Sequence, residues 1–137
     1  MSSELVLDEL TGRGSAGSIA VTAEGGTVTT NLQQGLAKSW CRWNGTGTAT
    51  VLDSFNHTGL LDNGPGDYTI TISSAMANAT YVHAGMAGGG STNLATIQQC
   101  QDVTAVTTTV TRYQTVFANG SLNDWSSINT SLFGDLA

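Results

Sequence analysis

DNGPGDYTITI, residues 62–72, decides how this chain folds. Its first half is a turn: Asn63-Gly64 supplies a positive φ, and Pro65, the only proline in the chain, fixes the next one. Its second half alternates: Tyr68, Ile70 and Ile72 fall on one face, Thr69, Thr71 and Ser73 on the other. That period of two predicts a half-buried β-strand leaving a tight turn.

Upstream the period stays at two. From Ser39 onward Trp40, Arg42 and Asn44 point one way, and Cys41 and Trp43 the other. Gly45-Thr46-Gly47 is a turn signal, and Thr48, Thr50 and Leu52 then alternate with Ala49 and Val51. This predicts a hairpin that Ser54-Phe55-Asn56 continues. Before it, Thr27–Lys38 holds the best helical candidate, capped by Thr30 or Asn31. Leu32 and Leu36 share one face there, and Gly35 limits the helix to one or two turns. Ser18–Thr22 alternates like a strand, and Glu24-Gly25-Gly26 breaks it.

Downstream the signals are weaker. Tyr81–Ala84 reads as a strand and Gly85–Ser91 as a mobile loop. Leu94–Cys100 fits strand or helix. Val103–Tyr113 is β-branched enough for a strand that continues to Ala118. Short strands with turns between them predict an all-β fold, a small antiparallel β-sandwich or barrel. The expected organisation is an extended N-terminal attachment arm (1–26), a β-sandwich body (27–118) and a C-terminal tail (119–137). The tail's Trp125, Ile128, Leu132 and Phe133 have no local core to enter, so docking on a neighbouring subunit is expected.

Composition narrows the function. The chain has 137 residues, 39% apolar and only 10% charged, with mean hydropathy −0.01. Net charge is −6, and Arg13, Lys38, Arg42 and Arg112 are too few and scattered to track phosphates, so no nucleic acid is expected. No apolar run approaches the roughly 20 residues of a spanning helix, so no membrane insertion is expected. The first residues lack the basic and apolar regions of a secretory signal. Five Asn-x-Ser/Thr sequons, at Asn44, Asn56, Asn78, Asn119 and Asn129, are therefore no evidence of glycosylation. Cys41 and Cys100 are expected as free, partly buried thiols.

Candidate chemistry does not assemble, and no catalytic residue, cofactor or metal is expected. Gly12-Arg13-Gly14-Ser15-Ala16-Gly17 has the spacing of a dinucleotide fingerprint, but a strand pattern follows where a helix is needed. Asp53, Ser54, Asn56 and His57 are neighbours in an extended chain, whose side chains point to opposite faces and cannot form a triad. His57 and His83 lack a second ligand at metal spacing. Asp62, Asn63 and Asp67 suggest half a calcium loop, yet the position-12 acid is missing and the turn accounts for them. Trp40 and Trp43 lie on opposite faces of one strand: one can be core, the other a sugar platform or a subunit contact. The Thr-rich, low-charge strand near 103–111 has little protection against edge pairing, which suits an oligomer.

TNLQQGLAK (Thr30–Lys38) with the following Trp40, DSFN (Asp53–Asn56) and DNGPGDYT (Asp62–Thr69), preceded by LVLDEL and GRGSAGSIAV, carry a resemblance. Residues 5–86 resemble a module recurrent in virion structural and tail-fibre proteins of tailed bacteriophages, notably marine, cyanobacterial and rhizobial ones. The resemblance implies a structural role and a homo-oligomer, commonly a trimer. It implies other virion proteins as partners, the major capsid protein or tail components. It also implies residence in the virion after synthesis in the cytoplasm of the bacterial host. Many relatives are long fibres with a C-terminal receptor-binding region; the few residues here beyond 86 favour a small capsid decoration or head fibre alongside a short tail fibre. The alternative is a carbohydrate- or host-receptor-binding module, with a host surface glycan as partner and Trp43, Tyr68 or Trp125 as platform. Subunit or attachment contacts are expected from Leu5, Leu7, Arg13 and Ile19 of the arm, Leu32 and Leu36, Trp40 and Trp43, and Trp125 and Phe133.

Overall fold

The structure is a computed structural model that describes residues 5–14, 19–22, 24–89, 95–99 and 106–137. The chain divides into two compact units, Met1–Leu36 and Ala37–Ala137.

In the first unit, β1 (Ala20–Thr22) pairs antiparallel with β2 (Thr29–Asn31). A one-turn helix, α1 (Leu32–Gly35), follows directly. Of the two candidate caps, Thr30 and Asn31, Asn31 is the one used: its Oδ1 accepts from the backbone N–H of Gln33 at 2.8 Å and of Gln34 at 3.2 Å. Residues 5–14 form no strand, and the LVLDEL side chains there are exposed.

The second unit is a β-sandwich of two four-stranded antiparallel sheets. The front sheet contains β3 (Ser39–Asn44), β4 (Thr50–Phe55), β7 (Val82–Gly88) and β10 (Ser127–Phe133), in the order β4-β3-β10-β7. The back sheet contains β5 (His57–Gly64), β6 (Asp67–Ile72), β8 (Ala95–Gln99) and β9 (Val110–Phe117), in the order β5-β6-β9-β8.

The alternating stretches behave as read. In β6, Tyr68, Ile70 and Ile72 are buried while Thr69 and Thr71 are only half-buried. In β3, Ser39, Cys41 and Trp43 face the core, and Trp40, Arg42 and Asn44 face outward. The β3–β4 hairpin forms, with a register shift after Arg42 that leaves Leu52 as an extra residue facing solvent. Elsewhere the strands depart from the sequence reading. Gly85–Gly88, expected in a loop, complete β7. Residues 95–99 are strand, resolving the helix–strand ambiguity. The strand expected from Val103 begins at Val110, and residues 100–105, Cys100 included, lie outside the described residues. His57–Gly64, for which the sequence offered no strand signal, forms β5.

Asn56 makes the corner where the chain passes from the front sheet to the back sheet. It has a positive φ of 52°, a region Asn tolerates because its side chain can bond locally. Its Nδ2 donates to the carbonyls of Lys38 (2.8 Å) and Ser74 (3.2 Å), and its Oδ1 accepts from Ser74 N at 2.6 Å. Its own carbonyl accepts from Ser73 N and from Ser39 Oγ, each at 3.2 Å.

The core is aromatic. The Trp43 ring meets Tyr68 edge-on at 5.7 Å and Tyr113 at 6.4 Å, and Phe117 meets Trp125 edge-on at 5.1 Å. Ile70, Ile72, Met76, Ile128 and Leu132 fill the remainder. The largest departure concerns 119–137. Ser127–Phe133 is β10, paired with β3 on one side and β7 on the other. Trp125, Ile128 and Leu132 enter the core that the rest of the body provides. A strand whose partners lie far away in sequence shows no local partner in the sequence itself, which is why these residues looked like a tail.

Candidate functional site

Two outer faces remain, and they differ. On the back sheet the outward residues are mostly polar. Asp67 and Arg112 form a two-pronged ion pair there, Nε to Oδ1 at 2.7 Å and Nη2 to Oδ2 at 2.6 Å. Asn63 Nδ2 adds bonds to Asp67 Oδ1 (3.2 Å) and Thr69 Oγ1 (2.9 Å). The Arg112 guanidinium holds the Asp67 carboxyl below its ordinary pKa. Thr71, Gln98 and Gln114 extend this face. Asp67 is thus engaged by an arginine and is not a spare ligand of the 62–67 turn, where Asp62 Oδ1 accepts from Gly64 N at 2.9 Å.

The front sheet presents aromatic and aliphatic groups instead. Pairing registers align Phe55, Trp40, Ser131 and Ala84 in one row across β4, β3, β10 and β7. The neighbouring row places Phe133 beside Val82. On the other side, Asp53, Arg42, Asn129 and Met86 align. Phe55 is 53% exposed, Val82 63% and Met86 74%. Trp40 and Phe133 are half-buried. These apolar groups share the face with Ser131, Asp53, Arg42 and Asn129, and exposed apolar groups gathered on one face mark a candidate interaction site.

The residues expected to make contacts therefore separate. Trp40 and Phe133 come together on the open front face. Trp43 and Trp125 do not: they are 0% and 3% exposed and lie in the core. Tyr68, a candidate sugar platform with those two, is also fully buried. Leu5, Leu7, Arg13 and Leu36 are exposed in the first unit, where Ile19 and Leu32 are half-buried. Sequence reasoning missed Phe55, Val82 and Met86. Phe55 was read only as continuing the hairpin, and the register reveals its position beside Trp40.

Of the two histidines considered for chemistry, His83 has side-chain partners, whereas the buried Nε2 of His57 meets no hydrogen-bond partner among the described residues. His83 Nδ1 lies 2.8 Å from Tyr113 Oη and 3.4 Å from Thr111 Oγ1, and its ring packs against Tyr81 at 4.8 Å. Burial lowers its pKa. Tyr81 Oη sits 2.9 Å from the carbonyl of Thr107 and 3.2 Å from that of Val110. Cys41 is a buried free thiol whose pKa desolvation pushes up to about 12, the opposite of a reactive cysteine. Among the described residues, no three His, Cys, Asp or Glu side chains group as metal ligands.

Compared with protein-family models, curated proteins and solved structures, this chain matches none.

Proposed function

We propose that this chain is a non-enzymatic structural protein of a tailed-phage virion. It acts as an oligomeric surface subunit, trimeric by the resemblance, and serves as capsid decoration or head fibre, or as a short tail fibre. The observation that carries a structural role is the contrast between the two outer faces. One is closed by hydrogen bonds and an ion pair; the other offers Phe55, Trp40, Phe133, Val82 and Met86 to a partner. Apolar surface of that kind gains free energy by being covered. The virion assignment itself rests on the resemblance over residues 5–86. Asn56, Asp67 and His83, the polar side chains best suited to chemistry, are engaged in holding the fold, which supports a non-enzymatic role.

Quantifying the protein in purified particles tests the reading. Decoration requires on the order of hundreds of copies per particle and a fibre a few tens at most, from capsid against tail symmetry. Absence from particles sinks it.

A second reading, a carbohydrate- or host-receptor-binding module, keeps one supporting observation: Trp40 beside Phe55 on an open face. Trp40→Ala would then abolish binding on a glycan array, and an array with no binding by the native protein removes this reading.

A further inference from the structure

We propose that Asn63 is a site of self-modification. The backbone nitrogen of Gly64 attacks the Asn63 side-chain amide, expels ammonia and leaves, after hydrolysis, aspartate or isoaspartate. The inference goes beyond the structural role above and does not depend on it.

The chain holds three Asn-Gly pairs, Asn44-Gly45, Asn63-Gly64 and Asn119-Gly120. Glycine leaves the backbone nitrogen after an asparagine least shielded, since no Cβ stands beside it. The three pairs differ in what holds that nitrogen. Gly45 N donates to the carbonyl of Trp125 at 2.8 Å, and Gly120 N to that of Phe117 at 2.9 Å. Gly64 N donates instead to a carboxylate, Asp62 Oδ1, at 2.9 Å. A backbone carbonyl holds an N–H in place but does not take its proton. A carboxylate at that position acts as a general base while the nitrogen attacks. The difference comes from a break in register. Asp62 pairs with Tyr68 and Gly64 with Asp67, which leaves Asn63 as the extra residue of a bulge. The bulge takes this stretch out of the regular ladder and brings the Asp62 side chain to the Gly64 N–H.

The leaving nitrogen also has a partner suited to the step. Asn63 Nδ2 lies 2.9 Å from Thr69 Oγ1 and 3.2 Å from Asp67 Oδ1. The Thr69 hydroxyl accepts from this amide and can turn to donate to it as ammonia forms. At Asn44 and Asn119 the side-chain oxygen is bonded instead, to Thr46 N and Ser121 N at 3.0 Å each. In the step, a bond forms from Gly64 N to Asn63 Cγ, and the Cγ–Nδ2 bond breaks. The proton of Gly64 N passes to Asp62 and leaves, through water or Thr69, with the amine as ammonia. Water then opens the cyclic imide, at the side-chain carbonyl to give aspartate or at the backbone carbonyl to give isoaspartate. Water is the one co-reactant, and nothing is oxidised or reduced. It has access: Asn63 is exposed, and no atom lies within 4 Å of where a Cβ of Gly64 would stand. The product adds one negative charge to the chain's −6 and sets a carboxylate against Asp67 where an N–H had been.

Peptide mapping by mass spectrometry, after incubating the full native chain at mildly alkaline pH, tests the site. Asn63 is expected to convert ahead of Asn44 and Asn119, with the mass gain of an amide turned acid and with separable aspartate and isoaspartate peptides. Conversion at either other site first, or none at Asn63, overturns the inference. The same incubation in denaturing guanidinium is expected to erase the order. An order that persists there belongs to the local sequence and overturns the role of the fold. Asp62→Asn keeps an oxygen for the Gly64 N–H but removes the base. It is expected to slow Asn63 about tenfold or more, with Asn44 and Asn119 unchanged. Were Asp62 merely holding the turn, loosening it would speed the conversion, so a faster or unchanged rate overturns its role as base. Circular dichroism melts confirm that this variant folds, as expected for a position exposed in the native chain.

Discussion

Tyr68 Oη lies 2.6 Å from Asp124 Oδ1, a contact that spans 56 residues. The same carboxylate oxygen accepts from Gly66 N at 2.7 Å. Gly66 has φ +65°, and a Cβ there would press on backbone atoms of Thr115 and Asn123. Trp125, next to Asp124, accepts from Gly45 N through its carbonyl at 2.8 Å. These bonds fasten the segment before β10 to the turns before β4 and β6. Burial and the Asp124 carboxylate together hold the Tyr68 hydroxyl protonated well above its ordinary pKa.

Asp124→Ala leaves the Tyr68 hydroxyl and the Gly66 N–H without that acceptor. Losing a hydrogen bond to a charged group costs about 2–3 kcal/mol. For a domain of this size that corresponds to a fall in Tm of roughly 10 °C. Tyr68→Phe removes only one of the two bonds and is expected to cost less. Thermal melts of the two variants check the order.

Deleting the residues after Asn123 removes β10 and leaves β3 and β7 without the strand between them. The truncated chain is expected to lose its cooperative melt. The milder Ile128→Ala removes a fully buried side chain and is expected to cost about 2–5 kcal/mol, read from urea unfolding. A truncated chain that still melted cooperatively would show that 124–137 is dispensable after all.

Asn56→Asp is expected to destabilise more than its near-identical shape suggests. It keeps an acceptor for Ser74 N but sets an anion against the carbonyls of Lys38 and Ser74, which now receive an N–H. Asn56→Gly accepts the positive φ freely and loses only the side-chain bonds. Chemical denaturation should therefore rank native above Gly, and Gly above Asp at neutral pH. Acidifying below the carboxyl's pKa should narrow the gap between the last two.

Stability is expected to fall in two stages on acidification. His83 is held among Tyr81, Thr111 and Tyr113, and burial lowers its pKa from 6.5. The unfolded chain takes up that proton first, so stability declines as pH drops below about 6.5. His57, also lowered by burial, acts with the same sign. Asp67 is the second stage: Arg112 lowers its pKa from 3.8, so its contribution is present above that value and is lost as pH falls through the lower, folded one. Urea unfolding at stepped pH measures both stages. His83→Gln should flatten the upper one, and Arg112→Met should flatten the lower one.

How far the chain could be read follows from where each residue's partners lie. Alternation alone grouped Tyr68, Ile70 and Ile72 on one face of their strand, and Cys41 with Trp43 on one face of theirs, because a strand's side chains alternate whatever it pairs with. The turn at 62–67 and the Asn31 cap were likewise fixed by residues within a few positions. Sequence thus determined the all-β class, the period of the central strands and a short helical turn capped at Thr30 or Asn31. Tertiary structure alone decided the rest. It made 127–133 a strand between β3 and β7, because its hydrogen-bond partners are remote in the chain. It took Trp125 and Trp43 into the core and left Trp40 outside, because only the second sheet says which face is covered. And it assembled Phe55, Trp40, Ser131 and Ala84 into one row, because register between four strands is a property of the sheet and of no strand by itself.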